Sequence, residues 1–318
     1  MRHILVLAGG LSHERDVSLR SGRRVADALN HSGAETHVRD VDPTLLGAIR
    51  NSRPEVVWPV LHGASGEDGA LRDVLEALNI AYVGSRPASC RLTWDKPVAK
   101  ALVGAAGIST PDGMALSHAT FRELGAPALL ESVVDSLGLP LAVKPARGGS
   151  SLGLTIVRSA AELPSAMVTA YAYGDIALIE RFVEGIEIAL SIIEDVHGQP
   201  QALPAVEIVP DGGVYNYEAR YTAGATEFFT PARLSTSVAA SVAAVSLTAY
   251  QTLGHQHLSR VDLIIDADDR PWFLEANVSP GMTETSLLPM AVEAAGMDTT
   301  AVYAAIVERA LSPTPQQT

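Results

Sequence analysis

The sequence contains a single cysteine, fewer basic than acidic residues and no long uninterrupted apolar run. Cys90 stands alone, so no intrachain disulfide can form, which fits the reducing conditions of the cytoplasm. Lysine and arginine total 23 against 36 aspartates and glutamates, and the net charge is −13. A nucleic-acid partner is therefore not expected, because phosphate contacts need clustered cations. No apolar stretch reaches the ~20 residues that a membrane helix needs, so membrane insertion is not expected either.

The chain is long enough for two or three domains, and its first third alternates strand and helix patterns. Apolar runs such as "HILVLAGG", "ETHVRDVD" and "EVVWPVLHG" are separated by helical segments. This alternation predicts a parallel sheet with helices on both faces, which binds ligands at the carboxyl ends of its strands. We predict three units, at residues 1–95, 96–183 and 184–318. The second contains a glycine-rich loop, and the third contains a strand pair and a last helix near 299–311.

Two apolar runs flank the turn-like segment "DADDR" in the third unit and predict an antiparallel hairpin. If the hairpin is centred between the last two aspartates of that segment, Asp262 lies opposite Glu275 and Arg260 lies opposite Asn277. Cross-strand partners share one face of a sheet, as do residues two apart. Two facing carboxylates repel unless a cation lies between them, and a set of oxygen ligands suits Mg²⁺. A solvated hairpin face with a salt bridge is the alternative.

The glycine-rich stretch "VKPARGGSSLG" places Lys144 at the end of an apolar strand, ahead of a turn of small residues. Backbone N–H groups of such loops bind phosphate, and glycine lets the backbone approach closely. The stretch has neither the Walker A ending nor the GxGxxG pattern, and a mobile hairpin loop explains it equally well. Together with the acidic hairpin far downstream, it indicates a nucleotide held between two units.

Several further blocks occur in a fixed order along the chain. They are "GGLSHERDVSLRSG", "HGASGEDG" with "GSRPAS" and "DK", "VKPARGGSSLG", "YNYEARY", and "RVDLIID" with "LEANVSPGMTETSLLP". From about His3 to Leu311, this succession resembles the D-alanine–D-alanine ligases of the ATP-grasp superfamily. The resemblance implies a three-domain ATP-grasp fold of the α/β and α+β classes. In that fold a Rossmann-like parallel sheet comes first, and the nucleotide binds between the central and C-terminal domains.

The resemblance also implies a reaction that serves peptidoglycan precursor synthesis. ATP phosphorylates the carboxylate of one D-alanine, and the amine of a second D-alanine attacks the acyl phosphate. D-alanyl-D-alanine, ADP and phosphate are released. The implied cofactors are ATP and Mg²⁺, with Mn²⁺ as a substitute, and the implied assembly is a cytoplasmic homodimer.

Roles are carried over from the family by position. The expected catalytic and substrate residues are Glu14, His62, Ser150, Tyr221, Arg260, Gly281, Ser286 and Leu287. The expected nucleotide-binding residues are Lys96, Lys144, Ser151, Glu180, Glu187 and Arg220, and the expected Mg²⁺ ligands are Asp262, Glu275 and Asn277. Within these sets, Glu180 meets the adenine amino group and Glu187 the ribose, while Arg260 and the Gly281 N–H stabilise the oxyanion. Glu14, Ser150 and Tyr221 form a network around the ammonium of the first substrate, and His62 orients its own loop.

Four positions depart from the usual pattern of the family. Arg220 replaces a lysine, Gly148 a glutamate, Trp94 a methionine and Arg72 a glutamine. These departures leave open a specialised paralogue that joins another small amino acid or a hydroxy acid, for antibiotic production or self-resistance. A nucleotide-binding module that has lost catalysis is the other alternative. It predicts missing metal ligands or oxyanion donors, and the sequence retains all of them.

Overall fold

Three β-sheets organise the chain, which the computed structural model describes over residues 2–222 and 224–312. The side chain of Tyr221 lies outside the described residues. The strands are β1 His3–Leu7, β2 Glu35–Arg39, β3 Val56–Pro59, β4 Ala81–Tyr82, β5 Gly113–Ser117, β6 Leu141–Pro145, β7 Thr155–Val157, β8 Ile176–Arg181, β9 Ile186–Glu194, β10 Pro200–Ala202, β11 Val206–Pro210, β12 Thr226–Phe229, β13 Leu258–Ile265 and β14 Pro271–Asn277. The helices are α1 Arg15–His31, α2 Leu45–Ser52, α3 Ala64–Glu67, α4 Ala70–Ala77, α5 Pro87–Trp94, α6 Lys96–Ala105, α7 His118–Leu124, α8 Ala126–Leu137, α9 Leu163–Tyr171, α10 Tyr217–Tyr221, α11 Thr236–Thr252, α12 Leu287–Ala294 and α13 Thr299–Leu311.

The first sheet is parallel, with strand order β2-β1-β3-β4, as the alternating pattern predicts. Its central strand reads as a continuous apolar run because both faces are covered. Ile4 and Val6 belong to a core shared with α1, α12 and α13, whereas Leu5 and Leu7 pack in a separate core with α2 and α4. The carboxyl ends of β1 and β3 open into the loops "GGLSHE" and "HGASGEDG".

The other two sheets are antiparallel and carry the glycine-rich loop and the predicted hairpin. The middle sheet has the order β5-β8-β6-β7, and the glycine-rich loop joins its strands β6 and β7. The last sheet has the order β12-β11-β9-β13-β14, with β10 added on β9. Residues 113–117 and 287–294, a strand and a helix, were not predicted from the sequence.

The β13–β14 hairpin confirms the predicted pairing at its functional end. Asp262 lies opposite Glu275, and Arg260 lies opposite Asn277. Towards the turn the register shifts by one residue, because Leu274 is an extra residue between the partners of Asp262 and the next residue of β13. A bulge of this kind bends a strand and re-aims side chains. Leu274 and Glu275 accordingly line the same cavity.

The last helix, α13, has the predicted bounds and packs against the first sheet. The Asp298 carboxylate accepts hydrogen bonds from the N–H groups of Thr300 and Ala301, both at 3.2 Å, and so caps the first turn of the helix.

The divisions between the three predicted units, at residues 1–95, 96–183 and 184–318, remain predictions. No single helix within the described ranges has the length and apolar character to span a membrane; only α12 and α13 taken together do, and they are bent by 110°.

Candidate active site

Two cavities that share part of their walls contain the predicted site residues whose side chains are described. The large cavity, of about 520 Å³, is lined by Glu14, His62, Ser150, Arg260, Asn277, Gly281, Ser286 and Leu287. The small cavity, of about 120 Å³, is lined by Lys144, Ser151, Glu180, Glu187 and Asp262. Lys96, Arg220 and Glu275 line both. Most residues expected to bind substrate thus separate from most of those expected to bind nucleotide, and two cations and one carboxylate lie where the two cavities meet.

The glycine-rich loop closes over the large cavity through two serines. Ser150 Oγ donates a hydrogen bond to Glu14 Oε1 at the start of α1, and Ser151 Oγ donates to the Tyr215 carbonyl at 3.0 Å. Both serines have left-handed backbone conformations, with φ of 52° and 55°. Such conformations cost a non-glycine residue roughly 1–2 kcal/mol and persist only when surrounding contacts fix them. The Glu14–Ser150 part of the predicted network is therefore formed, and the role of Tyr221 stays a prediction.

The loop after β3 and the short helix α3 place two buried titratable groups against the large cavity. Burial is the main cause that lowers the pKa of His62, and its Nε2 has no hydrogen-bond partner among the described residues. Glu67 Oε1 accepts the Gly63 N–H at 2.8 Å. Burial, followed by the nearby Glu14 charge, raises the pKa of Glu67 to about 8. The sequence reasoning missed Glu67; its only signal was its position in a loop at the carboxyl end of a parallel strand.

Arg72 supports this segment and is not among the described residues that line the large cavity. It is one of the largest fully buried side chains, with 1% exposure, and its guanidinium donates to the Gly66 carbonyl. A charged side chain is rarely buried so deeply without polar partners. Arginine at position 72, where the family usually has glutamine, therefore has a structural role: it holds the segment that carries Glu67.

The hairpin carries its carboxylates beside cations. Arg260 donates two hydrogen bonds to Asp262, from Nε at 2.7 Å and from Nη2 at 2.8 Å. Lys96 Nζ lies 3.1 Å from Glu275 Oε2, and Asn277 Oδ1 accepts the Ser279 N–H at 2.7 Å. Burial opposes ionisation of Glu275, but neighbouring cations, Lys96 foremost, outweigh it and lower the pKa to about 2. Glu275 is thus held as an anion.

No group of three or more histidine, cysteine, aspartate or glutamate side chains is suitably placed for a metal ion in residues 2–222 and 224–312. The predicted metal set consists of two carboxylates and one amide. Oxygen ligands of this kind suit Mg²⁺, which usually binds one or two protein carboxylates and completes its coordination with water and substrate phosphates. The residues present fit that pattern, with nucleotide phosphates as the remaining ligands.

The loop after β14 brings Gly281 against Ser286. A Cβ atom at Gly281 would lie 2.6 Å from Ser286 Oγ, so a larger residue would displace that hydroxyl. Ser286 Oγ also accepts the Thr283 N–H at 3.0 Å and stands at the N-terminus of α12. The Met282 N–H donates to Ser21 Oγ at 3.1 Å, which fastens the loop to α1. Leu287 presents an apolar wall beside these polar groups.

The small cavity combines an apolar wall with a buried ion cluster. Its apolar lining comes from Ala142, Leu154, Ile156, Phe182, Val183, Val214, Ile264 and Leu274. Glu180 is 1% exposed, with Lys144 Nζ 2.7 Å from its Oε2 and Lys100 Nζ 2.5 Å from its Oε1. Burial raises the pKa of Glu187 to about 7, against the opposing charge of Arg220. The sequence reasoning missed Lys100, although its position one helical turn after Lys96 was a usable signal.

Three of the departures from the family pattern lie around these cavities. The Arg220 guanidinium stacks 4.1 Å from the centre of the Tyr215 ring, and Arg220 lines both cavities. Gly148 has a φ of 127°, and its carbonyl accepts a hydrogen bond from Lys96 Nζ at 2.6 Å. Trp94 lines the large cavity. A planar guanidinium stacks on a ring better than an ammonium does, so arginine at position 220 suits this local arrangement.

Comparisons with known proteins place the chain in a family. The family model "D-ala D-ala ligase C-terminus" matches residues 102–308. The D-alanine–D-alanine ligase of Bordetella petrii is 40% identical over 305 residues, covering 96% of this chain and 91% of that protein. The corresponding ligase of Moorella thermoacetica is 37% identical over 310 residues, covering 98% and 99%.

Solved structures show the same likeness over nearly the whole chain. The structure of D-alanine–D-alanine ligase from Bacillus anthracis complexed with ATP has a TM-score of 0.80, with 29% identity and coverage of 98% and 97%. VanG D-Ala:D-Ser ligase from Enterococcus faecalis has a TM-score of 0.82, with 26% identity and coverage of 97% and 99%. The predicted ATP-grasp fold is confirmed. The chain belongs to the D-alanine–D-alanine ligase family.

Proposed function

We propose that this chain joins two D-alanines in an ATP-dependent ligation that releases ADP and phosphate. The distribution of the hairpin residues over the two cavities carries this proposal. Asp262 lines the small cavity, Asn277 lines the large one, and Glu275 lines both. A nucleotide in the small cavity would therefore point its phosphates at a substrate carboxylate in the large one. That is the arrangement that acyl phosphate formation needs, because phosphoryl transfer depends on positioning and charge neutralisation.

The first substrate would bind with its ammonium near Glu14 and its carboxylate towards the junction of the cavities. Lys96 and Arg220 line both cavities and supply positive charge where the γ-phosphoryl group moves. Transfer converts the carboxylate into an acyl phosphate, whose phosphate is a good leaving group. Because this intermediate hydrolyses in water, the contacts of the glycine-rich loop with Glu14 and Tyr215 serve to exclude solvent.

The second D-alanine would bind beside Ser286 and Leu287 and attack as a neutral amine. The oxyanion that forms on the carbonyl oxygen is stabilised by Arg260 and the Gly281 N–H, which line the same cavity. Expulsion of phosphate, with loss of one proton from the attacking nitrogen, then gives the dipeptide. Asp262, Glu275 and Asn277 would hold Mg²⁺, with Mn²⁺ as a substitute, and the ion would neutralise phosphate charge when bound.

Phosphate release, with mass spectrometry of the product, tests the proposal directly. We expect release to require MgATP and D-alanine, and the product to have the mass of D-alanyl-D-alanine. Absence of D-alanine-dependent phosphate would overturn the ligase assignment and favour a binding module. The same assay with D-serine and D-lactate as second substrates tests the alternative of a specialised paralogue; the likeness to a D-Ala:D-Ser ligase makes D-serine the first to try. A cytoplasmic location and a homodimer remain expectations that cell fractionation and sedimentation would check.

A further inference from the structure

Lysine is confined to one place in this molecule. The sequence contains three lysines, Lys96, Lys100 and Lys144, and arginine supplies the other 20 of its 23 cations. All three lysine side chains are mostly buried and lie within one cluster of ion pairs with Glu180 and Glu275. Lysine presents a compact ammonium, whereas arginine presents a wide planar fork. A chain that otherwise uses arginine thus places lysine where two carboxylates must be held in a confined space.

The three ammonium groups have different relations to the small cavity. Lys96 and Lys144 line it, and both are among the expected nucleotide ligands. Lys100 lies one turn after Lys96 on α6 and is 7% exposed. It is absent from the described residues that line the small cavity, and its Nζ lies 2.5 Å from Oε1 of Glu180, which does line it. Lys100 can therefore influence a bound ligand only through the groups that it holds.

Lys100 also joins two of the sheets that form the cavity. Its Nζ donates a hydrogen bond to the carbonyl of Phe273 in β14 at 3.2 Å, while Glu180 belongs to β8 of the middle sheet. Lys144, from β6, holds the second oxygen of Glu180 at 2.7 Å. With an ammonium on each oxygen, the carboxylate can neither rotate freely nor gain a proton easily. Burial by itself would raise the pKa of Glu180, but Lys144 and Lys100 reverse this effect and lower it.

A buried carboxylate at an apolar cavity accepts hydrogen bonds and repels other acceptors. We propose that Lys100 is a positioning residue that fixes Glu180 as an acceptor for the exocyclic amine of a purine, and so sets the preference for a 6-amino over a 6-oxo base. This inference rests on the proposed function, in which the small cavity takes the adenine nucleotide. ATP presents an amine at this position, whereas ITP presents a carbonyl oxygen that the carboxylate would repel.

Binding of ATP and ITP by calorimetry, without D-alanine, tests the inference independently of ligation. Lys100→Met should weaken ATP binding about tenfold, the effect of losing one well-placed hydrogen bond to a charged group. It should change ITP binding less than about twofold, because ITP does not make that contact. Lys100→Arg retains the positive charge but brings a wider fork into this confined space, so it should keep part of the wild-type preference, more than Lys100→Met does. Arg91→Met removes an exposed cation paired with Asp73 and is the matched control, with both affinities unchanged.

Failure of this inference can be distinguished from failure of the proposed function. Equal weakening of ATP and ITP by Lys100→Met, or no change in either, would overturn the positioning role. If thermal melts show that this variant does not fold, Lys100→Gln is measured in its place with the same expectation. A wild-type protein that binds ATP with the predicted preference but releases no phosphate with D-alanine would contradict the ligation and leave the role of Lys100 intact. Wild-type affinities that are equal for ATP and ITP would overturn that role.

Discussion

Replacing Glu275 by glutamine tests the junction between the two cavities most directly. The substitution keeps the shape of the side chain and removes its charge, which faces Lys96 at 3.1 Å and Asp262 across the hairpin. Turnover should fall by about three orders of magnitude or more, because a metal ion contributes several kcal/mol of charge stabilisation in the transition state. The loss should be largest at limiting Mg²⁺ and smaller at high Mg²⁺.

The same variant should show a defined effect on stability. The pKa of Glu275 is lowered from 4.5 to about 2, so its ionisation favours folding by on the order of 3 kcal/mol at neutral pH. For a group with a depressed pKa, this contribution is present above the unfolded value and disappears as the pH falls through the folded value. The difference in unfolding free energy between wild type and Glu275→Gln should therefore be largest near pH 7 and shrink as the pH falls from about 4.5 towards 2.

The assay combines phosphate release over a range of Mg²⁺ concentrations with urea unfolding at several pH values. Asp268→Asn is the matched control, because Asp268 lies on the exposed turn of the same hairpin, away from both cavities. It should leave the rate and its Mg²⁺ dependence unchanged. A Glu275→Gln enzyme that works within tenfold of wild type at limiting Mg²⁺ would refute the assignment of this hairpin to the metal.

Further predictions concern the other groups of the large cavity. Arg260→Met should lower kcat about a hundredfold or more, the usual cost of removing an oxyanion donor, and an unchanged kcat would exclude that role. Gly281→Ala should raise the KM of the second D-alanine and leave ATP affinity unchanged, since its Cβ would lie 2.6 Å from Ser286 Oγ. The pKa of Glu67 is raised to about 8, so the folded chain keeps this proton to a higher pH than the unfolded chain does. Between pH 6 and pH 8 the unfolding free energy of wild type should therefore fall by roughly 2 kcal/mol more than that of Glu67→Gln, and an equal pH dependence of the two in urea unfolding would contradict this. With equal D-alanine and D-lactate at pH 7.5, dipeptide should be the main product, because the apolar Leu287 neither hydrogen-bonds to a hydroxyl nor repels an ammonium. A product that is mostly D-alanyl-D-lactate by mass spectrometry would reverse the substrate assignment.

The sequence predicted those features that depend on periodicity and turn chemistry. The pairing of Asp262 with Glu275 follows from strand alternation on either side of a turn, and this pairing is present in the structure. The bulge at Leu274 could not be predicted in the same way, because a bulge depends on packing between sheets and leaves the local pattern unchanged. The burial of Glu67 on α3 could not be predicted either, because it also depends on packing that the local sequence pattern does not show. Lys100 lies on α6, but its partners come from β8 and β14, which only the folded chain brings together.

The charges of the site explain why an acidic protein can bind a polyanion. Among the described residues, seven cations and six acidic side chains line the two cavities: Arg20, Lys96, Lys144, Arg147, Arg181, Arg220 and Arg260, beside Glu14, Glu67, Glu180, Glu187, Asp262 and Glu275. Lys96 pairs with Glu275 and Arg260 with Asp262, so no cation in these pairs is buried alone. Nucleotide phosphates would compete for these cations, and the released carboxylates would then need a new counter-ion. A divalent cation would meet that need, and the proposed metal and nucleotide would then be thermodynamically linked ligands of one charge network. Glu180 differs from these carboxylates, because Lys100 and Lys144 hold it from two sides, an arrangement that suits the proposed contact with a base better than an exchange of partners.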